Sequence, residues 1–325
     1  MVIPSWYSTR PNSSVGTPFK EQTKALIREG IDASILYADL DIIDWRNKPL
    51  TIFPKHIYAI EDGIPTFRLR GIFPPKVSLA ILNAWGKRYE SLYDDYINEK
   101  GRPDVIHGRS FYGAYIAMRL SKKYEIPYVV SEHSSALAEG NIRPYLLDVI
   151  REVYTNANAR VAISLGIKKR MEAFTKAEID VIPNFINTDY FKPKAQKQRT
   201  EVIRFLSLGG LVPRKKVDIQ IKAFAELEKQ GRKNIQLNIG GWGREEANLK
   251  AQVNDHGLAD KVNFLGKLER PAVKEALENT DVFLMTSEYE PFGVVLIEAT
   301  SMGLPVVATA CDGAKDVINL SLIHI

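Results

Sequence analysis

Two carboxylates, Glu290 and Glu298, enclose the seven residues PFGVVLI within the run TSEYEPFGVVLIEATSMGLPVVAT, residues 286–309. From Gly293 to Met302 the run reads as a helix, with Pro291 fitting its first turn, Gly303 capping its end and Pro305 preventing continuation. The helical neighbours of Glu298, three and four positions away, are Val294, Val295, Ser301 and Met302, so only a narrow polar edge is open to it. A carboxylate in such a place needs a donor or a ligand. Glu290 falls in the loop before the helix and Glu298 about one and a half turns inside it, so the two meet different parts of one ligand. Between them, the amides of Phe292 and Gly293 stand at a helix N-terminus, which favours a phosphate or a polarised hydroxyl. The spacing fits equally well a loop glutamate and a helix glutamate held by an arginine.

Other residues with chemical potential are cationic or imidazole groups near strand ends. PRKK (213–216) brings Arg214, Lys215 and Lys216 to a loop after a strand, where they suit a phosphorylated ligand or simply a solvated face. His133 follows the strand PYVVSE, and His107 and Arg109 close the strand DVIHG; single histidines in such places are more often structural than catalytic. No phosphate-binding G-x-x-x-x-G-K-[ST] loop, H-E-x-x-H, C-x-x-C or G-x-S-x-G elbow occurs, and GGWG (240–243) is too short for a dinucleotide fingerprint and reads as a turn. No acidic cluster marks a metal site.

These residues are carried by an alternation of β-branched runs and amphipathic segments that signals parallel βαβ units. After a first strand in MVIP, strands are predicted at 33–38, 104–108, 127–132, 160–164, 179–183, 203–209, 235–241, 262–266, 282–287 and 305–309. Helices are predicted between them, clearest in PFKEQTKALIREG (18–30), with Phe19, Leu26 and Ile27 on one face, and VDIQIKAFAELEKQG (217–231). The polar stretch KPKAQKQRT (192–200) divides the chain into domains at 1–191 and 201–325, each of doubly wound size, with a ligand crevice expected at the carboxyl ends of their strands.

Composition agrees with a globular enzyme-sized protein: 325 residues, 45% hydrophobic and 26% charged. A net charge of +5 suits phosphorylated ligands or an anionic surface, but the basic clusters lack the aromatic interleaving of a nucleic-acid platform. The single cysteine, Cys311, fits a reducing, cytoplasmic setting. No apolar run approaches the roughly 20 residues of a membrane span, and the N-terminus lacks a signal-peptide core.

The run from Ser287 to Thr309 resembles the E-x7-E signature of retaining nucleotide-sugar glycosyltransferases of family 4. Further stretches resemble that family in the same order: IPSWYSTRPNSSVGTPFKEQTKAL, RPDVIHGRSFYG, PYVVSEHSS, VIPNFINTDYFKP, LSLGGLVPRKKVDIQIKAF and VNFLGKLERPAV. The resemblance implies an α/β chain of GT-B class, two Rossmann-like doubly wound parallel-sheet domains facing a cleft. It implies Glu298 on the nucleotide ribose and Glu290 on the donor sugar. Lys215 would meet the diphosphate, with Arg214, Gly209, Gly210, Phe292, Gly293 and Gly16 beside the donor. His133 would lie near the reacting sugar, and His107 and Arg109 on the acceptor side. The implied activity is retaining transfer of a hexose-type sugar from a UDP- or GDP-linked donor to a hydroxyl acceptor of an envelope polysaccharide, lipopolysaccharide or glycolipid. It needs no metal or other cofactor, and peripheral contact with the inner membrane face is compatible with it. Where the family usually has an arginine, this chain has Gly210, and Asp312 replaces a glycine in CDGAKD. Both ends look short for the fold, so the chain is also expected to be a fragment. A nucleotide-sugar epimerase or hydrolase and a non-catalytic binding fragment remain as alternative readings.

Overall fold

The computed structural model describes residues 1–8, 15–42, 55–73, 78–193 and 201–321. They form two compact units, Met1–Pro183 and Asn184–Ile325.

In the first unit the strands are β1 (Val2–Pro4), β2 (Ile35–Ile42), β3 (Lys55–Glu61), β4 (Ile64–Phe73), β5 (Ile106–Arg109), β6 (Tyr128–Glu132), β7 (Ala159–Ala162) and β8 (Asp180–Val181). Its helices are α1 (Thr17–Arg28), α2 (Leu79–Lys100), α3 (Ser110–Tyr124), α4 (Ser135–Glu139), α5 (Leu147–Asn156) and α6 (Leu165–Met171). The sheet order is β3-β4-β2-β1-β5-β6-β7-β8, parallel except for the antiparallel pair β3 and β4. That hairpin turns on Asp62 and Gly63, with φ of 52° and 81°, the paired left-handed conformation that an Asp-Gly loop favours. Helix α1 buries Phe19, Gln22 and Thr23, whereas Leu26 and Ile27 of the expected face are only partly buried. Helix α2 buries Leu82, Tyr89, Leu92, Tyr93 and Tyr96, a spacing that lays one apolar stripe on the sheet.

In the second unit the strands are β9 (Ile203–Leu208), β10 (Ile235–Gly240), β11 (Val262–Gly266), β12 (Val282–Met285) and β13 (Val306–Ala308). Its helices are α7 (Val217–Lys229), α8 (Glu246–Asp255), α9 (Arg270–Glu278), α10 (Val294–Ser301) and α11 (Asp312–Ser321). The order β11-β10-β9-β12-β13 is parallel throughout, so the direction of winding reverses between β9 and β12. One face buries Val217, Ile221 and Phe224 of α7 with Leu237 and Ile239 of β10, each such side chain contributing about 1.5–3 kcal/mol.

Every predicted strand is present, with shifts of a few residues at the ends. The division at Pro183 precedes the expected linker because the segment after it belongs to the second unit. Phe191 is fully buried and its carbonyl accepts a bond from Ser301 Oγ at 2.6 Å. Residues 194–200 of that linker lie outside the described residues. Helix α10 starts at Val294, later than Pro291 suggested: Gly293 is its N-cap with φ 89°, and Pro291 lies in the loop before it.

Candidate functional site

In an open parallel sheet the strand pair where winding reverses leaves a crevice at its carboxyl end. In the second unit that pair is β9 and β12, and the loops leaving them carry most of the predicted donor residues. Lys215 Nζ donates to both carboxylate oxygens of Glu290, at 2.9 Å to Oε2 and closer still to Oε1. Arg214 Nη1 stands 3.6 Å from the same carboxylate and donates to Tyr289 O at 3.2 Å. The Glu288 amide donates to Arg214 O at 2.8 Å, and the Thr286 hydroxyl lies 2.9 Å from the carbonyls of Lys215 and Lys216. Lys216 is held at φ 50°, a conformation costing a non-glycine residue on the order of 1 kcal/mol, so the two loops together fix where Lys215 points.

Gly209 lies beside this cation: a Cβ there would meet Lys215 Nζ at 3.6 Å. The turn after β10 is pressed against the same loop. The Leu211 amide donates to Trp242 O at 2.9 Å, and a Cβ on Gly241 would fall 1.8 Å from Gly209 O, so no other residue fits. Gly210 differs, since a Cβ there meets nothing nearer than Trp242 O at 4.0 Å. On the other side, Gly313 of α11 fits against the backbone of Glu290 and Phe292, where a Cβ would meet atoms at 2.5 to 2.8 Å. Phe292 is buried, and the N-terminus of α10 at Gly293 has no side-chain cap. A cation, a carboxylate and an uncapped helix N-terminus thus converge within one loop pair, an arrangement suited to a phosphate and a polyhydroxylated ligand.

Glu298 is buried one turn further on, and its neighbour is Arg270 Nη1 at 3.6 Å. The Arg270 guanidinium lies 5.2 and 5.1 Å from the ring centres of Tyr190 and Phe191. Sequence reasoning passed over Arg270. A signal was present: it is the first residue of α9, where a cation opposes the helix dipole and needs a carboxylate nearby.

In the first unit the winding reverses between β1 and β5, and α1 follows β1. Gly16, φ 73°, is the N-cap of α1. His133 follows β6 and meets Phe19 of α1 edge-on, with ring centres 4.9 Å apart. Arg109 Nη1 donates to Gln22 of α1 while its Nε has no hydrogen-bond partner, and burial lowers the guanidinium to about 9. His107 lies 2.6 Å from Ser131 Oγ. Burial, then the charges of Arg109 and His133, push His107 well below the usual histidine range and keep it neutral near pH 7. Gly16, His107, Arg109 and His133 are therefore gathered around the strand ends of this unit.

Beneath them is a carboxylate the sequence did not flag. Glu132 is wholly buried; its Oε1 accepts the amides of His133 and Ser134 at 2.8 and 2.7 Å, and its Oε2 accepts the Tyr154 hydroxyl. Burial raises its pKa although these bonds, and one from Ser110, pull the other way. The folded state therefore favours the protonated form. That contribution is complete at acid pH and is lost as pH rises through the elevated folded value. Glu132→Gln preserves the size and acceptor oxygen, so wild-type thermal stability should fall relative to this variant as pH rises from acid to neutral. Parallel pH profiles in melting experiments would contradict the assignment.

Among the described residues, no group of three or more His, Cys, Asp or Glu side chains is placed to hold a metal, and no helix is long and apolar enough to cross a membrane.

Comparison with solved structures places the fold in the GT-B class of glycosyltransferases. A sucrose-phosphate synthase from Thermosynechococcus elongatus superposes with a TM-score of 0.73 at 20% identity, over 94% of this chain and 77% of that one. Anabaena HepE, solved with UDP-glucose, gives a TM-score of 0.69 at 18% identity, over all of this chain and 82% of that one. Residues 17–190 match Glycosyltransferase Family 4, residues 189–321 match Glycosyl transferases group 1, and the chain belongs to glycosyltransferase family 4. A glycogen synthase from Mycobacterium tuberculosis is 27% identical over 226 residues, 67% of this chain and 54% of that protein. The chain spans about a third to a half of the length of most of the first curated relatives it matches, and 79% of the Bacillus subtilis glycosyltransferase YqgM.

Proposed function

We propose that the protein is a retaining glycosyltransferase that moves a hexose-type sugar from a UDP- or GDP-linked donor to a hydroxyl acceptor. The observation that carries this reading is the Lys215–Glu290 pair, set at the switch point of the second unit beside the uncapped start of α10. On donor binding, Lys215 exchanges Glu290 for the diphosphate, with Arg214, the glycine turn at Gly209 and the amides of Gly210 and Gly293 beside it. Glu290, released, accepts hydrogen bonds from the donor sugar, and Glu298 accepts them from the ribose. As the bond from the anomeric carbon to the phosphate oxygen breaks, Lys215 stabilises the departing charge. The acceptor oxygen bonds to the same face of that carbon and its proton passes to the leaving phosphate, so no protein nucleophile is consumed. His133 meets the reacting sugar, and His107 and Arg109 serve the acceptor.

The acceptor class we favour is an envelope glycan or lipid-linked glycan, with the protein working in the cytoplasm, at the inner membrane face when the acceptor is lipid-linked. The reading requires no metal or other cofactor. Its test is incubation with UDP- and GDP-hexoses and a panel of glycan and glycolipid acceptors, with the anomeric configuration of the product read by NMR. Transfer with retention supports it; release or isomerisation of the sugar without transfer, or inversion, contradicts it.

Gly210 gives a further expected outcome. Its φ lies outside the left-handed region and the space at its Cβ is open, so Gly210→Arg should fold normally. An added guanidinium beside the diphosphate should tighten UDP or GDP binding about tenfold in a calorimetric titration. Unchanged affinity would place the diphosphate away from this loop.

A further inference from the structure

We propose that Gln220 is a positioning residue of the donor site, fixing through Thr286 the backbone from which Lys215 reaches the diphosphate; this rests on the reading that Lys215 binds that group. The helical period of α7 turns Val217, Gln220, Ile221 and Phe224 to one face, and all four are buried. Three of them are apolar side chains of the core. At the fourth place stands an amide only 3% exposed, which burial penalises unless its polar atoms find partners. Gln220 Nε2 donates to Ser207 Oγ at 3.0 Å and to Thr286 Oγ1 at 2.9 Å. Ser207 belongs to β9 and Thr286 directly follows β12, so the amide ties together the two strands at the switch point. Gln220 Oε1 meets no donor among the described residues, so the two donated bonds are what the side chain contributes.

The Thr286 hydroxyl has one proton and lies 2.9 Å from the carbonyls of Lys215 and Lys216, which can only accept. A group on its other side must therefore donate. The NH2 of an amide has a proton for each of the two hydroxyls, and a hydrocarbon side chain has neither. Gln220 thus holds the Thr286 hydroxyl in the orientation that gives its proton to the Lys215 loop. The two carbonyls belong to the last residue of the short 3-10 turn Pro213–Lys215 and to Lys216, whose φ of 50° departs from the helical conformation. At this joint no continuous helical ladder holds the backbone, and the clamped hydroxyl takes its place. The Lys215 side chain starts from the joint and ends on Glu290. Gln220 and Thr286 set the origin of the cation, and its anionic partner sets the end.

The experiment measures sugar-transfer kinetics, UDP and GDP affinity by calorimetry and thermal melts for wild type, Gln220→Met, Thr286→Val, Lys215→Ala and the double variant Gln220→Met with Lys215→Ala. Methionine and valine keep nearly the same volumes and remove only the polar atoms. Gln220→Met and Thr286→Val should each lower kcat about tenfold at temperatures where they are folded, because a small misplacement of a group that acts on the reacting bond costs this much. In the Lys215→Ala background, Gln220→Met should change kcat and nucleotide affinity less than twofold, since a residue that acts through Lys215 has nothing left to position. A lowered melting temperature with unchanged kcat, or a tenfold loss that persists without Lys215, would reduce Gln220 to a structural contact and overturn the proposal. If Lys215→Ala lowers transfer while Gln220→Met and Thr286→Val do not, the positioning role falls and the donor site stands. If Lys215→Ala leaves transfer and nucleotide binding unchanged, or wild type shows neither, both fall.

Discussion

Lys215→Ala should lower kcat for sugar transfer by about a hundred- to a thousandfold while the protein stays folded. Loss of one positioned group that stabilises charge in the transition state has an effect of that size. The cation is well placed for it: only 16% of its side chain is exposed, and its loop is fixed by Thr286 and by the Glu288 amide. Without a ligand, its removal leaves Glu290 with Arg214 at 3.6 Å, which limits the cost in stability. If Lys215 served only to neutralise Glu290, the variant would lose melting temperature and keep its turnover. Steady-state kinetics with a melting curve separates the two, because the proposed role lowers kcat more than it raises the donor KM.

Glu298→Ala should weaken UDP or GDP binding about tenfold to a hundredfold, the range for hydrogen bonds made to a charged group. The variant also removes the carboxylate that stands 3.6 Å from Arg270, a side chain only 17% exposed, so stability should fall too. A second substitution divides the two effects. Arg270→Met in the Glu298→Ala background should recover stability without recovering nucleotide affinity, and a double-mutant cycle measures the coupling. Full recovery of affinity would reduce Glu298 to a counter-ion for Arg270.

The two loops of the proposed donor site could be read from the sequence because their determinants are local. Gly293, Gly303 and Pro305 mark the ends of α10, and the β-branched runs mark the strands that precede both loops. The expected span, Gly293 to Met302, is α10 with its two caps; only Pro291, expected in the first turn, lies in the loop before it. The hairpin β3 and β4 was passed over although Asp62-Gly63 is a strong hairpin signal, since the reading sought parallel crossovers alone. The partner of Glu298 was foreseen as an arginine in one of two open readings, but which arginine depended on the tertiary contact that brings Arg270, at the start of α9, to it. Glu132 could not be singled out, because its burial among Tyr154, Ser110 and two amides is a tertiary arrangement. Sequence spacing names the carboxylates; only the fold says which of them already have partners.

The most direct test of the account is a crystal structure of the protein with whichever of UDP or GDP binds it. The account predicts the diphosphate at the carboxyl ends of β9 and β12, on Gly209, Gly210 and Lys215, with Lys215 Nζ moved from Glu290 to a phosphate oxygen and Glu298 on the ribose. A diphosphate bound elsewhere, with the Lys215–Glu290 pair intact, would contradict it.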